Sequence, residues 1–197
     1  MSVIATYFDK ESWTKKGVDW LRKAKSIGLK GFIIGDNLPV EAEAKAKSLG
    51  FDLVNIIVKF NDERDIYCTI AETLEKGERC LFMNSDLSPR GGISEEKDVN
   101  CSLDSSLNLR DIVSSIRNLK QRAKSVKLIE EKVENVFNGL LSTKFILGTW
   151  DFWNGFAAFH NYLQEQSYLD RRTACDELSF NLYIALTDSI TTEISHD

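Results

Sequence analysis

The sequence predicts an α/β fold: a mostly parallel central sheet with helices on both faces, plus a long helical segment around 109–140. Three observations predict it. Strand-length apolar runs and helix-length amphipathic runs alternate from Val3 to Met83 in the order β-α-β-α-β-α-β. The connections are short, and such alternation builds a parallel sheet covered by helices through right-handed crossovers. The strand ends that this topology gathers on one edge are polar: Phe8-Asp9, Asp36-Asn37, Lys59-Phe60-Asn61 and Asn84-Ser85-Asp86. Ligands of open α/β sheets bind outside that edge.

Each element carries its own signal. Val3-Ile4-Ala5-Thr6-Tyr7 reads as the first strand. A helix follows over 12–27, with Ser12 as its N-cap, Trp13, Trp20, Leu21, Ala24 and Ile27 on one face, and Gly28 as its stop. Gly31-Phe32-Ile33-Ile34-Gly35 is the second strand. Pro39 opens a helix to about Leu49, with Ala42, Ala46 and Leu49 inward. The third strand runs from Leu53 to Val58. Asp62 caps a helix whose Ile66, Ile70, Ala71 and Leu74 face in and which Gly77 ends. Arg79-Cys80-Leu81-Phe82-Met83 is a buried strand that stops abruptly at Asn84-Ser85-Asp86, ahead of Pro89 and Arg90-Gly91-Gly92. Asp98 to Cys101 is a short strand.

Between Leu109 and Leu140 apolar residues recur at spacings of three and four, which predicts one long helix or two packed helices broken near Ser125. That stripe needs a partner surface, either the sheet or a second copy in a homodimer. Its basic run, Arg117, Lys120, Arg122, Lys124 and Lys127, is a solvated face or a patch for an anionic partner. Phe145-Ile146-Leu147 is a further strand, and Trp150 to Phe156 an aromatic-rich turn, either a platform for a sugar ring or aromatic core. Residues 170–187 form a helix with Ala174, Leu178, Leu182 and Ala185 on one face. Ile190 to Ile194 is a last strand before Ser195-His196-Asp197.

Composition narrows the function. The 197 residues fit a single domain, and 43% apolar content supports a sizeable core. A net charge of −5 argues against broad nucleic-acid binding. Cys68, Cys80, Cys101 and Cys175 form no CxxC pair and read as reduced core thiols. With no transmembrane-length apolar run and no signal-peptide pattern, the expected location is cytoplasmic. No G-x-G-x-x-G, G-x-x-x-x-G-K-[ST] or G-x-S-x-G motif occurs, which argues against dinucleotide enzymes, P-loop NTPases and nucleophile-elbow hydrolases.

The chemistry gathers at strand tips. A carboxylate delivered by a buried strand beside a polar oxygen, Asp86 after Asn84, is a hard-oxygen site for a divalent ion that bridges to phosphates. Asp9 and Asp36 bind ligand or cap the helices that follow them. Asp176 and Glu177 sit in the first turns of the 170–187 helix, where the dipole favours carboxylates. His160 ends an apolar run and reads as a satisfied, half-buried histidine.

In this order the pieces resemble a small glycosyltransferase of the GT-A fold, a Rossmann-like nucleotide-diphospho-sugar transferase. The resemblance implies a nucleotide-sugar-binding half over 1–104, a helical insertion over 105–142 and an acceptor-side half over 143–197. It implies a nucleoside-diphosphate sugar donor, an acceptor hydroxyl and a Mn²⁺ or Mg²⁺ cofactor. The family's Asp-x-Asp triplet is here Asn84-Ser85-Asp86, so its last Asp matches and its first is Asn. By the same resemblance Asp86 and His196 are metal ligands, and Tyr7 and Asp9 hold the nucleobase and ribose. Asp36 and Asn84 also contact the donor, Arg64 touches its phosphates or sugar, and Asn154-Gly155-Phe156 is the turn lining the sugar and acceptor pocket. One of Asp176 and Glu177 is the general base. Two other readings stay open. One is a non-catalytic nucleotide-sugar-binding or regulatory domain, favoured by Asn84. The other is an α/β enzyme of phosphotransfer or hydrolase type, although Asp9 is followed by Lys10-Glu11 where an Asp-x-Asp-x-Thr would stand.

Overall fold

Successive residues of a strand point to opposite faces of a sheet, and the central strands of this chain are apolar on both. The computed structural model describes residues 2–56, 64–89, 99–165, 175–187 and 191–193. Strands β1 (Ser2–Asp9), β2 (Gly31–Asp36), β3 (Phe51–Ile56), β4 (Arg79–Met83), β5 (Val99–Leu103), β6 (Leu141–Thr149) and β7 (Thr191–Glu193) form one sheet in the order β3-β2-β1-β4-β6-β5-β7. Only β6 runs against its neighbours; β1–β2, β2–β3, β1–β4 and β5–β7 pair in parallel.

Helices cover both faces. Helix α1 (Lys10–Ser12) continues through a π-helical turn, Trp13–Gly17, into α2 (Val18–Ser26). Then come α3 (Glu41–Leu49), α4 (Arg64–Thr73), α5 (Leu109–Ser114) and α6 (Leu119–Ile129). A second π-helical turn, Glu130–Glu134, leads into α7 (Asn135–Phe137), followed by α8 (Trp150–Glu165) and α9 (Cys175–Thr187). Ile4, Ile33, Leu81 and Leu147 face Trp13, Trp20, Ala42 and Ala46 of the α1–α2 helix and α3. Their strand neighbours Ala5, Ile34, Phe82 and Ile146 face the other way, against α4, α5, α8 and α9. The α/β prediction therefore holds, with two cores and the sheet between them.

Three expectations need correction. The first helix begins at Lys10, not Ser12, because the Asp9 carboxylate outcompetes Ser12 as the cap. The 109–140 segment breaks over residues 115–118, not near Ser125. Asn118 accepts the Gln121 N–H and starts α6, and the Arg122 guanidinium donates to the Ile116 and Ser114 carbonyls at the end of α5. One member of the basic run is thus a structural clamp. The segment's apolar face packs on α9 and into the sheet core, burying Ile112, Ile116, Ile129 and Val133, while Leu119 and Val136 are exposed.

The largest correction is at Trp150–Phe156. The Asn-Gly pair reads as a turn, yet the stretch lies inside α8. Phe152, Trp153, Phe156, Ala157 and His160 share one buried helical face. Burying three large aromatic side chains outweighs the roughly 1 kcal/mol that a glycine costs inside a helix. These aromatics are core: Trp153 and Phe156 are fully buried around Tyr67. After the 109–140 segment, β6 begins at Leu141. The cysteine reading holds where it is described: Cys68, Cys80 and Cys101 stand in no disulfide, and burial pushes the Cys80 thiol far up. No helix among the described residues is long and apolar enough to cross a membrane.

Candidate functional site

The parallel strands β1, β2 and β4 end on one edge of the sheet, and antiparallel β6 begins there. At the β1 tip, Asp9 and Asp36 of β2 are register partners. Asp9 is occupied as a cap. Its Oδ1 accepts from the Ser12 N–H at 2.7 Å and the Ser12 hydroxyl at 2.6 Å, while its own N–H donates to Ser12 Oγ. These bonds, led by the Ser12 hydroxyl and joined by the Lys16 charge, hold the Asp9 carboxyl below its ordinary value. Asp36 is half-buried and precedes Asn37, which adopts a left-handed backbone. Tyr7 packs against the core on the α8–α9 face.

The β4 tip is held from both sides. The Asn84 N–H donates to the Lys144 carbonyl at 2.8 Å, which ties the tip to β6. Asn84 Oδ1 then accepts the Asp86 N–H at 2.9 Å, an Asx turn. Beyond it, the Trp20 indole donates to the Leu87 carbonyl at 2.8 Å and pins the loop to α2. The Asp86 carboxylate reaches the ammonium of Lys16, which lies in the Trp13–Gly17 π-helical turn. Beside this ion pair is a cavity of about 180 Å³ lined by Lys16, Trp20, Lys23, Ser85, Asp86 and Ser88.

One strand further along the same edge, α9 begins. Thr143 of β6 donates to Glu177 Oε1 at 3.1 Å, and Asp176 Oδ1 lies 3.5 Å from Nε2 of the fully buried His160. The Asn181 side chain secures this start. It accepts the Leu141 N–H at 2.9 Å and donates to the Leu141 and Glu177 carbonyls at 3.0 and 2.7 Å. Thr143, which meets Glu177, directly precedes Lys144, whose carbonyl holds Asn84.

The structure brings Asp9, Asp36, Asn84, Asp86, Asp176 and Glu177 to one edge, but divides their side chains between its faces. Asp86 turns to the α1–α2 helix, whereas Asp176 and Glu177 belong to α9 on the opposite face. Asn154 and Gly155 line no turn. The Asn154 amide donates to the Trp150 carbonyl four residues back, and a Cβ on Gly155 would lie 2.1 Å from the Tyr183 hydroxyl of α9. Gly155 is the point where α8 and α9 approach. Arg64 opens α4, but its side chain lies outside the described residues, as do Asp62 and His196.

Lys16, Thr143 and Asn181 are the contributors that sequence reasoning missed. Each is an ordinary polar residue on a helix or strand, and its partner comes from 34 to 70 positions away. His160, read as half-buried, is fully buried, and its place beside Asp176 was not legible.

The described side chains do not assemble a divalent-ion site. Asn84 Oδ1 is taken by a backbone N–H, Asp86 is met by a lysine, and no group of three His, Cys, Asp or Glu side chains converges among the described residues.

No protein-family model matches the chain, and no curated protein matches it. Among solved structures it is similar to the crystal structure of the glycosyltransferase GlyE in Streptococcus pneumoniae TIGR4, at 11% identity and a TM-score of 0.51. The match covers 99% of this chain and 46% of that one, so this chain spans about half the length of the structure it matches. At that identity the likeness is one of fold, and the fold is α/β and GT-A-like.

Proposed function

We propose that the chain binds the nucleoside-diphosphate part of a sugar donor at the carboxyl edge of its sheet and serves transfer of the sugar to an acceptor hydroxyl. The observation that carries this reading is the gathering of the β1, β2 and β4 tips and the α9 start on one edge, in a fold shared with a glycosyltransferase. Glu177 is the general base in this reading. Thr143 fixes one of its oxygens, which leaves the other for the acceptor. As the acceptor oxygen attacks the anomeric carbon, Glu177 takes its proton and the bond from that carbon to the diphosphate oxygen breaks. The negative charge then rests on the departing nucleoside diphosphate and needs a cation beside it. Asp176, turned to His160, positions the first turn of α9 instead.

A second reading, binding without turnover, is favoured by Asn84, whose amide replaces a carboxylate and already serves the loop. Two measurements on the whole chain separate these readings. The first is a thermal-shift series with nucleoside diphosphates, where a ligand at 100 times its Kd adds about 2.7 kcal/mol. The second is release of nucleoside diphosphate from a panel of nucleotide sugars. Binding with release supports the transferase, binding alone supports the second reading, and no binding to any member overturns both.

A further inference from the structure

We infer that Lys16, backed by Lys23, is the cation that meets the donor diphosphate, and that Asp86 is its internal counter-ion. The inference rests on the reading of a nucleoside-diphosphate site and names the group that holds its charge. It begins from the mismatch at the β4 tip. The triplet lacks its first carboxylate, and its remaining one points at an ammonium. An ammonium on a short π-helical turn can offer a phosphate the positive charge that a metal would otherwise supply.

The turn is built to hold that ammonium in place. The Trp13 ring lies over Gly17, where a Cβ would come within 2.4 Å of it, so the backbone here is set by packing. π-helical insertions of this kind recur at functional sites. The Trp20–Leu87 bond keeps the opposite wall from drifting. At about 180 Å³ the cavity is smaller than the roughly 300–1,000 Å³ of pockets that enclose whole small molecules, which suits a phosphate group with the nucleoside outside it. Two lysines line it, and of its two acids Asp19 is engaged by Arg22 at 2.9 Å. Asp86 is the other. Its side chain is 76% exposed against 34% for Lys16, so the carboxylate is the partner that can swing away when a phosphate arrives. In the resting protein it keeps the lysine from standing uncompensated in its half-buried seat.

The test is calorimetric titration of the whole chain with UDP and with inorganic pyrophosphate, each in EDTA and in Mn²⁺. Wild type is expected to bind both equally in the two buffers. Lys16→Met should weaken them by about tenfold or more, the worth of one charge-assisted contact. Lys16→Arg should retain binding, which excludes a folding defect as the cause. Asp86→Asn should bind at least as tightly as wild type without metal, because the competing carboxylate is gone. UDP binding that requires Mn²⁺, is lost in Asp86→Asn and is untouched in Lys16→Met would overturn the inference and leave the nucleotide reading standing. Pyrophosphate binding lost in Lys16→Met, with no binding of UDP or any other nucleoside diphosphate, would support the cation and overturn the nucleotide reading.

Discussion

The two halves of the sheet edge that carries the candidate site are held by different means. At the α9 start, buried groups do the holding: Asn181 clasps both polar groups of Leu141, Thr143 donates to Glu177, and His160 faces Asp176. At the β1 and β4 tips the side-chain holding is more exposed: the Asp9 cap and the Asp86–Lys16 pair stand in water, beside one part-buried indole bond and the Asn84 bond to the Lys144 carbonyl. Buried polar networks are costly to leave half-made, whereas exposed ion pairs contribute about 0–1 kcal/mol. The difference assigns labour. In the proposed reading, the buried α9 start aims a carboxylate and the exposed Asp86–Lys16 pair at the β4 tip exchanges an internal counter-ion for a ligand.

The sharpest attempt to break this division targets the acidic pair. If Glu177 is the base, Glu177→Gln keeps the Thr143 contact and lowers kcat by roughly 10²–10⁴-fold while donor binding is preserved. Asp176→Asn should spare kcat by comparison and lower the melting temperature, because it changes the group facing a fully buried histidine. Steady-state kinetics and melting curves on both variants decide the matter. Equal kinetic losses would mean that the two carboxylates act as one unit and that the separation of roles is wrong.

Stability offers the next contrast. Asn181→Leu leaves the Leu141 N–H and carbonyl unpaired in the interior, and each such group costs about 1–3 kcal/mol. Asp86→Ala removes an exposed partner and should cost about 0–1 kcal/mol. Urea unfolding of the two variants should therefore differ several-fold in effect. A comparable loss from Asp86→Ala would show that the β4 tip is structural and not free to respond to ligand.

The same contrast explains what could be read from the chain. The parallel half was legible because strand alternation and helix stripes are local: Ile4 and Ala5, or Leu81 and Phe82, announce two buried faces by adjacency alone. Asp86 was legible as a tip residue for the same reason. Its partner was not, because Lys16 has no local mark that separates it from Lys15 or Lys10, and only the crossover from β1 brings it under the β4 loop. Asn154-Gly155 misled for a physical reason. The turn preference of that pair is worth about 1 kcal/mol, and the aromatic face of α8 buries far more than that. Asn181 was hidden differently. An asparagine inside an apolar helix reads as a defect until its amide is seen to act as a neighbouring strand for Leu141.

A pH-dependent effect lies at Asp9, and it tests whether the water-exposed half is tuned by titration. Asp9→Ala removes the cap of the helix that carries Lys16 and should cost about 0.5–2 kcal/mol. Because the folded carboxyl sits below its ordinary value of 3.8, its contribution is fully present above that value and is lost as the pH falls through the folded pKa. Asp9→Asn supplies a neutral cap in its place. Its stability should lack this acid-limb decline, while wild type and Asp9→Asn differ little at neutral pH. Chemical unfolding from pH 6 down to about pH 2.5, a range chosen to span the carboxylate titration, reads the difference directly. Parallel acid limbs for wild type and Asp9→Asn would mean that other carboxylates, Asp104 among them, whose carboxyl is also held low by its Ser106 bond, govern acid stability at this edge. Divergent limbs would place a titrating cap at the root of the helix that presents Lys16.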